Sequence, residues 1–301
     1  MTNKTFFPQE FERKHKLAIA RIQNYCKGKK TLCAFSGGKD SQCCYHLLQE
    51  SGVSFEAQYS ITRFEPPELL EFIHHVYPNM VYRRAYKTSL VNEISKNGLP
   101  SMFARWCCNA KHVKTEGFDI AIIGVRAEES VRRAKTWRSF GQKRDRTFYC
   151  CPIIDWTEED VWNYLNNVVK VEHCKLYDEG YKRIGCVMCP LSGVKHMQAD
   201  MVRYPRFAAM LKLGADKFVD AYCKRLHENG FRKKNGESVP PEHIVFTANP
   251  KEEYWKRWTT TAQVARTIEN AKKRNAKEIE ESQPCLFAGT GFSESDGKND
   301  N

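Results

Sequence analysis

The sequence lacks any long apolar run. No stretch approaches the roughly 18 consecutive apolar residues that mark a membrane-spanning helix. The first residues, MTNKTFFPQEFERKHK, have no apolar core ahead of their charged positions, so a secretory signal is not expected. Repeats of solenoid length and long low-complexity segments are also missing. We therefore predict a cytoplasmic, globular protein with no membrane partner.

Acidic residues are in deficit. The chain has 36 Asp and Glu against 48 Lys and Arg, which gives a net charge of +12. Such a surplus favours polyanionic partners, either nucleotides or nucleic acid, although a solvated basic surface has the same composition. A hydrophobic content of 41% is enough for an ordinary buried core.

Cysteine is abundant, with 13 residues. A reducing cytosol disfavours structural disulfides, which leaves a metal site or inert buried thiols. Cys107 and Cys108 are adjacent in ARWCCNAKH, and Cys186 and Cys189 form a C-x-x-C turn in RIGCVMCPLSG. Together they supply four thiolates, the number that zinc or a [4Fe–4S] cluster requires. Adjacent thiols wrap a single zinc ion poorly but can occupy separate iron corners of a cluster, so a cluster is favoured over zinc and over unligated thiols.

Apolar segments alternate between strand and helix patterns. Strands are predicted at 31–35, 53–61, 80–86 and 118–125, and helices within 1–30, after the first strand up to Gly52, and at 66–78. This alternation predicts an α/β fold with a doubly wound parallel sheet, which binds ligands at the carboxyl ends of its strands. The expected domains are an N-terminal helix (1–30), a nucleotide-binding domain with the cluster cysteines (31–192), a basic helical region (193–283) and a disordered tail (284–301).

The segment after the first strand reads SGGKDS. Two glycines allow backbone amides to approach an anion, and the following helix directs its free N–H groups at it. The segment differs from the Walker pattern, since an Asp follows the Lys. We predict that this loop binds phosphate through Ser36, Gly37, Gly38, Lys39 and Ser41.

The loop resembles the SGGxDS motif of the PP-loop ATP pyrophosphatases, also called the adenine nucleotide alpha-hydrolase-like superfamily. Three further segments resemble its phosphoadenosine phosphosulfate (PAPS) reductase branch, from about residue 30 to 192. They are EPPELL from Glu65, GVRAEES with Arg132 and Arg133 from Gly124, and PIIDWT with DVW from Pro152.

The resemblance implies a nucleotide over the sheet, with adenosine near Tyr59 and Ser60. It also places the Arg126 segment over the phosphates, which adds Gly124, Arg126, Glu129, Arg132 and Arg133 to the nucleotide-binding candidates. The catalytic candidates are Lys39, Asp40 and Arg126. Within this family, paired cysteines followed by C-x-x-C are the pattern of iron–sulfur adenylyl-sulfate reductases and DNA phosphorothioation enzymes.

Three functions remain open. The favoured one cleaves ATP to AMP and pyrophosphate, with Mg²⁺, and activates an acceptor for sulfur transfer. The alternative is a PAPS or adenylyl-sulfate reductase, but the family's C-terminal Glu-Cys-Gly-Leu-His motif is missing and Pro284-Cys285-Leu286 matches it poorly. The third is a non-catalytic nucleotide-binding regulator.

The expected partners are an adenine nucleotide, DNA or tRNA, and a sulfur donor such as a cysteine desulfurase. Basic residues of the C-terminal region suit a nucleic-acid backbone, namely Arg203, Arg206, Lys224, Arg225, Arg232, Lys233 and Lys234. Trp255 and Trp258 either stack on bases or, as their helical spacing favours, pack in a core.

Overall fold

The structure is a computed structural model that describes residues 9–111, 115–143, 146–232, 237–244 and 246–260. The predicted tail (284–301), Cys285 and residues 261–283 of the basic region lie outside the described residues. The chain divides into two compact units. The first contains Met1–Ala85 and Ala110–Cys186, and the second contains Tyr86–Asn109 and Val187–Asn301.

A six-stranded sheet forms the centre of the first unit. Its strands are β1 (Thr31–Phe35), β2 (Phe55–Ile61), β3 (Val81–Arg84), β4 (Ile120–Ile122), β5 (Phe140–Gln142) and β6 (Phe148–Cys150). Their order is β3-β2-β1-β4-β6-β5, and only the β5–β6 pair is antiparallel. The order reverses direction between β1 and β4, which is the switch point where doubly wound sheets bind ligands. The predicted α/β fold is confirmed.

Two details of the sheet differ from the prediction. The apolar run 118–125 forms a strand over only three residues: the Ile123 N–H still donates to the Cys150 carbonyl of β6, but the Val125 N–H donates to the Ile123 carbonyl in a local turn. The hairpin of β5 and β6 was not predicted as such, since each strand is short and lies beside a charged segment. Stacked rings of Phe140 and Phe148, with centroids 5.7 Å apart, accompany this pairing.

With one exception, the helices described in the first unit bury apolar side chains in one core with the sheet, and the exception is the helix Val131–Thr136, which has no buried residue. The helices are α1 (Gln9–Cys26), α2 (Lys39–Ser51), α3 (Pro67–Val76), α6 (Val131–Thr136) and α7 (Glu158–Asn163), the last continued by a π-helix at Tyr164–Val169. α2 ends at Gly52 in a left-handed conformation (φ 70°), as the sequence predicts. Ile22, Leu47 and Leu48 are fully buried, and each contributes roughly 1.5–3 kcal/mol of hydrophobic stabilisation.

The second unit is mostly helical. It contains α4 (Leu90–Asn97), α8 (Val194–Arg203), α9 (Pro205–Asn229) and a small hairpin of β7 (Phe231–Arg232) and β8 (Ser238–Val239). A short helix, α5 (Trp106–Lys111), lies at the boundary between the two units in the sequence. No helix among the described residues has the length and apolar character needed to cross a membrane.

The tryptophans of the C-terminal region pack in the second unit. Trp258 is 9% exposed, and its indole N–H donates to the Pro100 carbonyl at 2.6 Å. The Trp255 ring lies 5.6 Å from it, centroid to centroid. Packing is therefore the correct interpretation for Trp258.

Candidate functional site

The predicted phosphate loop follows β1 and leads into α2. The Ser41 hydroxyl accepts the Ser36 N–H at 3.2 Å, lies 3.1 Å from the Ser36 hydroxyl, and donates to the Gly38 carbonyl at 2.8 Å. The N–H groups of Ser41 and Gln42 also bond to that carbonyl. These bonds close the loop around the helix N-terminus at the carboxyl end of β1.

Glycine is required at two points around this loop. Gly37 has φ 74°, and a Cβ there would lie 2.7 Å from Leu69 Cδ1 and 2.8 Å from Ile73 Cδ1. Gly124, just beyond β4, would place a Cβ 2.9 Å from the backbone carbon and oxygen of Asp40. Its missing side chain therefore lets the chain after β4 touch the first turn of α2. This contact joins the loop to the Arg126 segment.

Lys39 is buried, at 5% exposure, and its ammonium group is already engaged. It donates to the Lys182 carbonyl at 3.1 Å and pairs with Glu158 at 3.2 Å. It also lies 5.6 Å from the centroid of the Tyr177 ring. These partners line a cavity of about 410 Å³ together with Trp162.

Asp40 and Arg126 form an ion pair. The Arg126 Nε lies 2.5 Å from Asp40 Oδ1, and its Nη1 lies 2.5 Å from Glu128 Oε2. Arg126 is only 4% exposed. The structure thus brings these two catalytic candidates together, and each neutralises much of the other's charge.

The rest of the Arg126 segment forms a short charged surface. Glu129 accepts the Arg126 backbone N–H at 3.4 Å and pairs with Arg133. Arg132 is exposed on α6. Of the three arginines in this segment, Arg132 is the one whose side chain lies mostly in solvent.

A second cavity, of about 170 Å³, lies at the carboxyl ends of the central strands. Its lining includes Ser36, Tyr59, Ser60, Ile123, Lys111 and Lys143. The cavity therefore contains one residue of the phosphate loop and the two residues predicted near adenosine. Lys111 and Lys143 add positive charge that sequence reasoning did not assign to a site.

Two neighbouring buried residues, of which Tyr59 lines this cavity, each have a polar atom without a partner. Within the described residues, the Tyr59 hydroxyl and Glu65 Oε2 have no hydrogen-bond partner. The other carboxylate oxygen of Glu65 accepts from the Thr62 N–H at 3.0 Å and hydroxyl at 2.5 Å. Burial, with a smaller effect of nearby Glu65, raises the pKa of Tyr59, so this phenol stays protonated. A buried unpaired hydroxyl at a cavity wall is suited to a ligand.

Described cysteines fall into two groups. Seven are buried, in agreement with the core interpretation for Cys33, Cys43, Cys44, Cys150 and Cys151, and the other two are Cys26 and Cys174. Five are partly exposed, and they are Cys223 and the four predicted ligands. The predicted ligands are thus the more accessible thiols.

The four predicted ligands lie on two local structures. Cys107 and Cys108 are on α5, whereas Cys186 and Cys189 are in a turn before α8. The Lys111 ammonium lies 3.7 Å from Cys186 Sγ. Among the described residues, no three His, Cys, Asp or Glu side chains form a metal-binding group. Cys186 belongs to the first unit and the other three to the second, so a shared metal remains a prediction.

The C-x-x-C turn is fixed by a carboxylate that the sequence did not single out. Met188 has a positive φ of 54°, and its N–H donates to Asp200 Oδ2 at 2.6 Å. Asp200 is 2% exposed. On the following residue, the Cys189 carbonyl accepts both the N–H and the hydroxyl of Ser192.

Sequence reasoning missed the residues that hold Lys39. Glu158 lies in the stretch between the quoted PIIDWT and DVW segments, and Tyr177 lies in LYDEGY after it. Their sequence signal was a long stretch rich in aromatic and acidic residues, from Glu158 to Tyr181, ahead of the C-x-x-C turn. Only the fold brings that run to the loop, more than a hundred residues earlier in the chain.

Comparison with known proteins agrees with these motifs. The sequence matches the phosphoadenosine phosphosulfate reductase domain family over residues 30–192. It is 27% identical over 184 residues to an adenosine 5'-phosphosulfate reductase of Shouchella clausii, covering 58% of this chain and 76% of that protein. It is 29% identical over 202 residues to an uncharacterized protein of Methanocaldococcus jannaschii, covering 60% of this chain and 47% of that protein. The chain thus spans less than half the length of this archaeal relative.

A solved structure gives a weaker similarity. The crystal structure of PAPS reductase from Candida auris, in a phosphate complex, aligns with a TM-score of 0.42 and 13% identity. The alignment covers 62% of this chain and 98% of that one.

Proposed function

The chain belongs to the phosphoadenosine phosphosulfate reductase family, and from this premise we propose that it is an ATP pyrophosphatase that activates an acceptor for sulfur transfer. An acceptor oxygen attacks the α-phosphorus of ATP, and the bond to the β-phosphate oxygen breaks. Pyrophosphate leaves, and the acceptor carries AMP. A sulfur nucleophile then displaces AMP from the acceptor. The overall products are AMP, pyrophosphate and a sulfur-bearing acceptor.

The observation that carries this proposal is the complete SGGKDS loop beside the cavity at the switch point. Ser36 belongs to both the loop and the cavity lining, while Tyr59 and Ser60 line the cavity from β2. Adenosine in the cavity would therefore have its phosphates directed to the start of α2, where backbone N–H groups favour anions. Such preorganised donors would stabilise the negative charge that develops on the departing pyrophosphate.

Charged residues of the loop have separate roles in this proposal. Lys39 exchanges its Glu158 and Lys182 contacts for the departing phosphates. Arg126 holds Asp40 in place and faces the developing charge. Mg²⁺ would be bound largely by phosphate oxygens, with Asp40 as the carboxylate of the loop.

We further propose that Cys107, Cys108, Cys186 and Cys189 hold a [4Fe–4S] cluster. The chemistry of the donor set supports this, because four partly exposed thiols match the ligand number of such a cluster. The cluster would bind or relay sulfide. We expect anaerobically purified protein to be brown and to contain iron, and serine variants at these four positions to lose the iron. Protein that contains one zinc and no iron would disprove the cluster.

The acceptor and the sulfur donor are proposed from charge and chemistry. Exposed basic residues of the second unit, among them Arg203, Arg206, Lys224 and Arg225, suit DNA or tRNA. A cysteine desulfurase would supply the sulfur. The first test below adds neither partner, and there water takes the place of the acceptor oxygen in the attack on the α-phosphorus.

The experiment is to incubate anaerobic protein with ATP, and separately with PAPS, and to identify the nucleotide products. AMP and pyrophosphate from ATP support the proposal. Binding of either nucleotide without any product would instead indicate a regulator.

Reduction of an activated sulfate is the second candidate, favoured by the names of relatives such as the Shouchella clausii reductase. A reductase needs a thiol that attacks sulfur. Cys285, outside the described residues, is the cysteine nearest the end of the sequence. If Cys285→Ser abolishes PAPS turnover and ATP is never cleaved, the reductase function is correct. If ATP cleavage persists in that variant, sulfur transfer is supported.

A further inference from the structure

Tyr177 contacts the phosphate loop from a distant part of the chain. Its hydroxyl oxygen accepts the backbone N–H of Lys39 at 3.0 Å. Lys39 is the first residue of α2, so this N–H is one of those that an anion at a helix N-terminus would use. The phenol therefore lies at the place where the proposed phosphates bind.

A phenol that accepts one hydrogen bond keeps its own O–H as a donor. Burial raises the pKa of Tyr177, so the proton stays on the oxygen across the physiological range. Tyr177 thus uses the Lys39 N–H, one of the free donors at the start of α2, and offers its own O–H as a donor in its place.

The missing side chain of Gly38 leaves space next to this donor. A Cβ at Gly38 would lie 3.6 Å from the Tyr177 hydroxyl and 3.5 Å from the Ser36 hydroxyl. The two hydroxyls therefore flank the same point above the loop. The absence of a Cβ leaves the space beyond the Gly38 Cα, between these hydroxyls, open to a ligand atom.

The ammonium group of Lys39 is engaged by partners outside the loop. It is held by Glu158 and the Lys182 carbonyl and lies 5.6 Å from the centroid of the Tyr177 ring. In this state the Tyr177 hydroxyl lies beside Gly38 and Ser36, where it can donate to a ligand.

We propose that Tyr177 is a further phosphate-binding residue: its oxygen fixes the Lys39 N–H, and its O–H donates to a phosphate oxygen bound at Ser36–Ser41. The inference rests on the phosphate-binding role proposed above for this loop, but not on turnover. The ligand class is a pyrophosphate group, either free or within a nucleoside triphosphate.

The test compares two ligands on the full, folded chain. Inorganic pyrophosphate probes the loop, and adenosine probes the cavity lined by Tyr59 and Ser60. Tyr177→Phe keeps the ring that packs on Trp162 and removes only the hydroxyl. We expect pyrophosphate to bind about tenfold more weakly, the loss typical of one hydrogen bond to a charged group, while adenosine affinity is unchanged.

A matched control is Tyr25→Phe, which removes a hydroxyl from a ring that stacks on Phe140 in the same unit. It should alter the binding of neither ligand. Unchanged pyrophosphate affinity in Tyr177→Phe overturns the proposal. An equal loss for both ligands overturns it too, because it shows a general structural role.

The wild-type protein separates this proposal from the proposed reaction. If it binds pyrophosphate but never cleaves ATP, the reaction is wrong and the Tyr177 comparison still decides the role of the phenol. If it does not bind pyrophosphate at all, both the loop's role and the role of Tyr177 are overturned.

Discussion

Lys39 has one ammonium group and two possible sets of partners. In the structure it is paired with Glu158 and the Lys182 carbonyl, while the proposed reaction requires it at the phosphates. The side chain of Glu158 is 52% exposed, and such a pair is worth little in water. A polyphosphate brings more negative charge than one carboxylate, so its binding can draw the ammonium group away.

We predict that Lys39→Ala lowers the rate of pyrophosphate release from ATP by about a hundredfold or more, the scale of losing one preorganised electrostatic donor. The measurement is steady-state turnover with saturating ATP. Lys175→Ala, at an exposed position of the same unit, is the control and should retain activity. Equal rates in the wild type and Lys39→Ala would mean that the loop is only a turn.

Buried thiols make stability depend on alkaline pH. Burial raises the pKa of Cys33 and of Cys151 to about 12, from an ordinary value of 9.0. Between these values the unfolded chain loses thiol protons that the folded chain keeps, so the free energy of unfolding falls as pH rises from 9 toward 12.

Cys33→Ala isolates this effect. We expect it to lower stability at pH 7 through the cavity it leaves, and to flatten the decline above pH 9 by up to about 1.4 kcal/mol per pH unit. Denaturant titrations at several pH values measure both. A decline as steep as in the wild type would show that Cys33 titrates normally in the folded protein.

At the level of elements, the close approach of α4 and α9 organises the second unit. Gly214 lies inside α9, and a Cβ there would be 2.8 Å from Ile94 Cβ and 3.0 Å from Ile94 Cγ2. Glycine in a helix costs about 1 kcal/mol relative to alanine, so its presence here reflects packing rather than helix propensity. α4 is also held at its start, where the Ser89 hydroxyl accepts the Asn92 N–H.

We predict that Gly214→Ala destabilises the protein by about 1–3 kcal/mol, because overpacking against Ile94 outweighs the gain in helix propensity. Thermal or denaturant unfolding measures it. Ala209→Gly, at an exposed position of α9, gives the propensity cost alone, about 1 kcal/mol. Stabilisation by Gly214→Ala would show that the two helices can move apart without cost.

For the whole molecule, the net charge of +12 is the property most open to test. Exposed arginines and lysines on α8 and α9 have the character of a nucleic-acid surface, but a solvated basic surface would look the same. Salt dependence separates the two, because phosphate contacts release counterions when they form.

We predict that the affinity for DNA or tRNA falls steeply between low and physiological salt. Each basic residue that contacts a phosphate should reduce the slope of log K against log salt by about 1 when it is replaced by alanine. Lys224→Ala and Arg225→Ala are the variants, and Lys175→Ala is again the control. An affinity that does not change with salt would show that the surplus charge is only solvated surface.

The sequence by itself was sufficient for the class of fold and for the strand–loop–helix structure that contains the predicted phosphate loop. Strand β1, the loop and α2 are consecutive, so the pattern of apolar residues and the two glycines predict their local structure without distant contacts. The burial of Cys33, Cys43 and Cys44 followed for the same reason, because these residues belong to elements whose buried sides are set by periodicity. The short hairpin of β5 and β6 was beyond this reasoning, since three-residue strands carry too little pattern.

Only the tertiary structure decided which residues meet at the loop. Asp40 pairs with Arg126, and Lys39 contacts Glu158 and Tyr177, partners that come from far along the chain. Side-chain charge and size do not reveal such pairings, because many carboxylates and phenols in this sequence could satisfy the same donors. The fold selects among them by bringing the ends of particular strands and helices to one edge of the sheet, and there distance determines which groups interact.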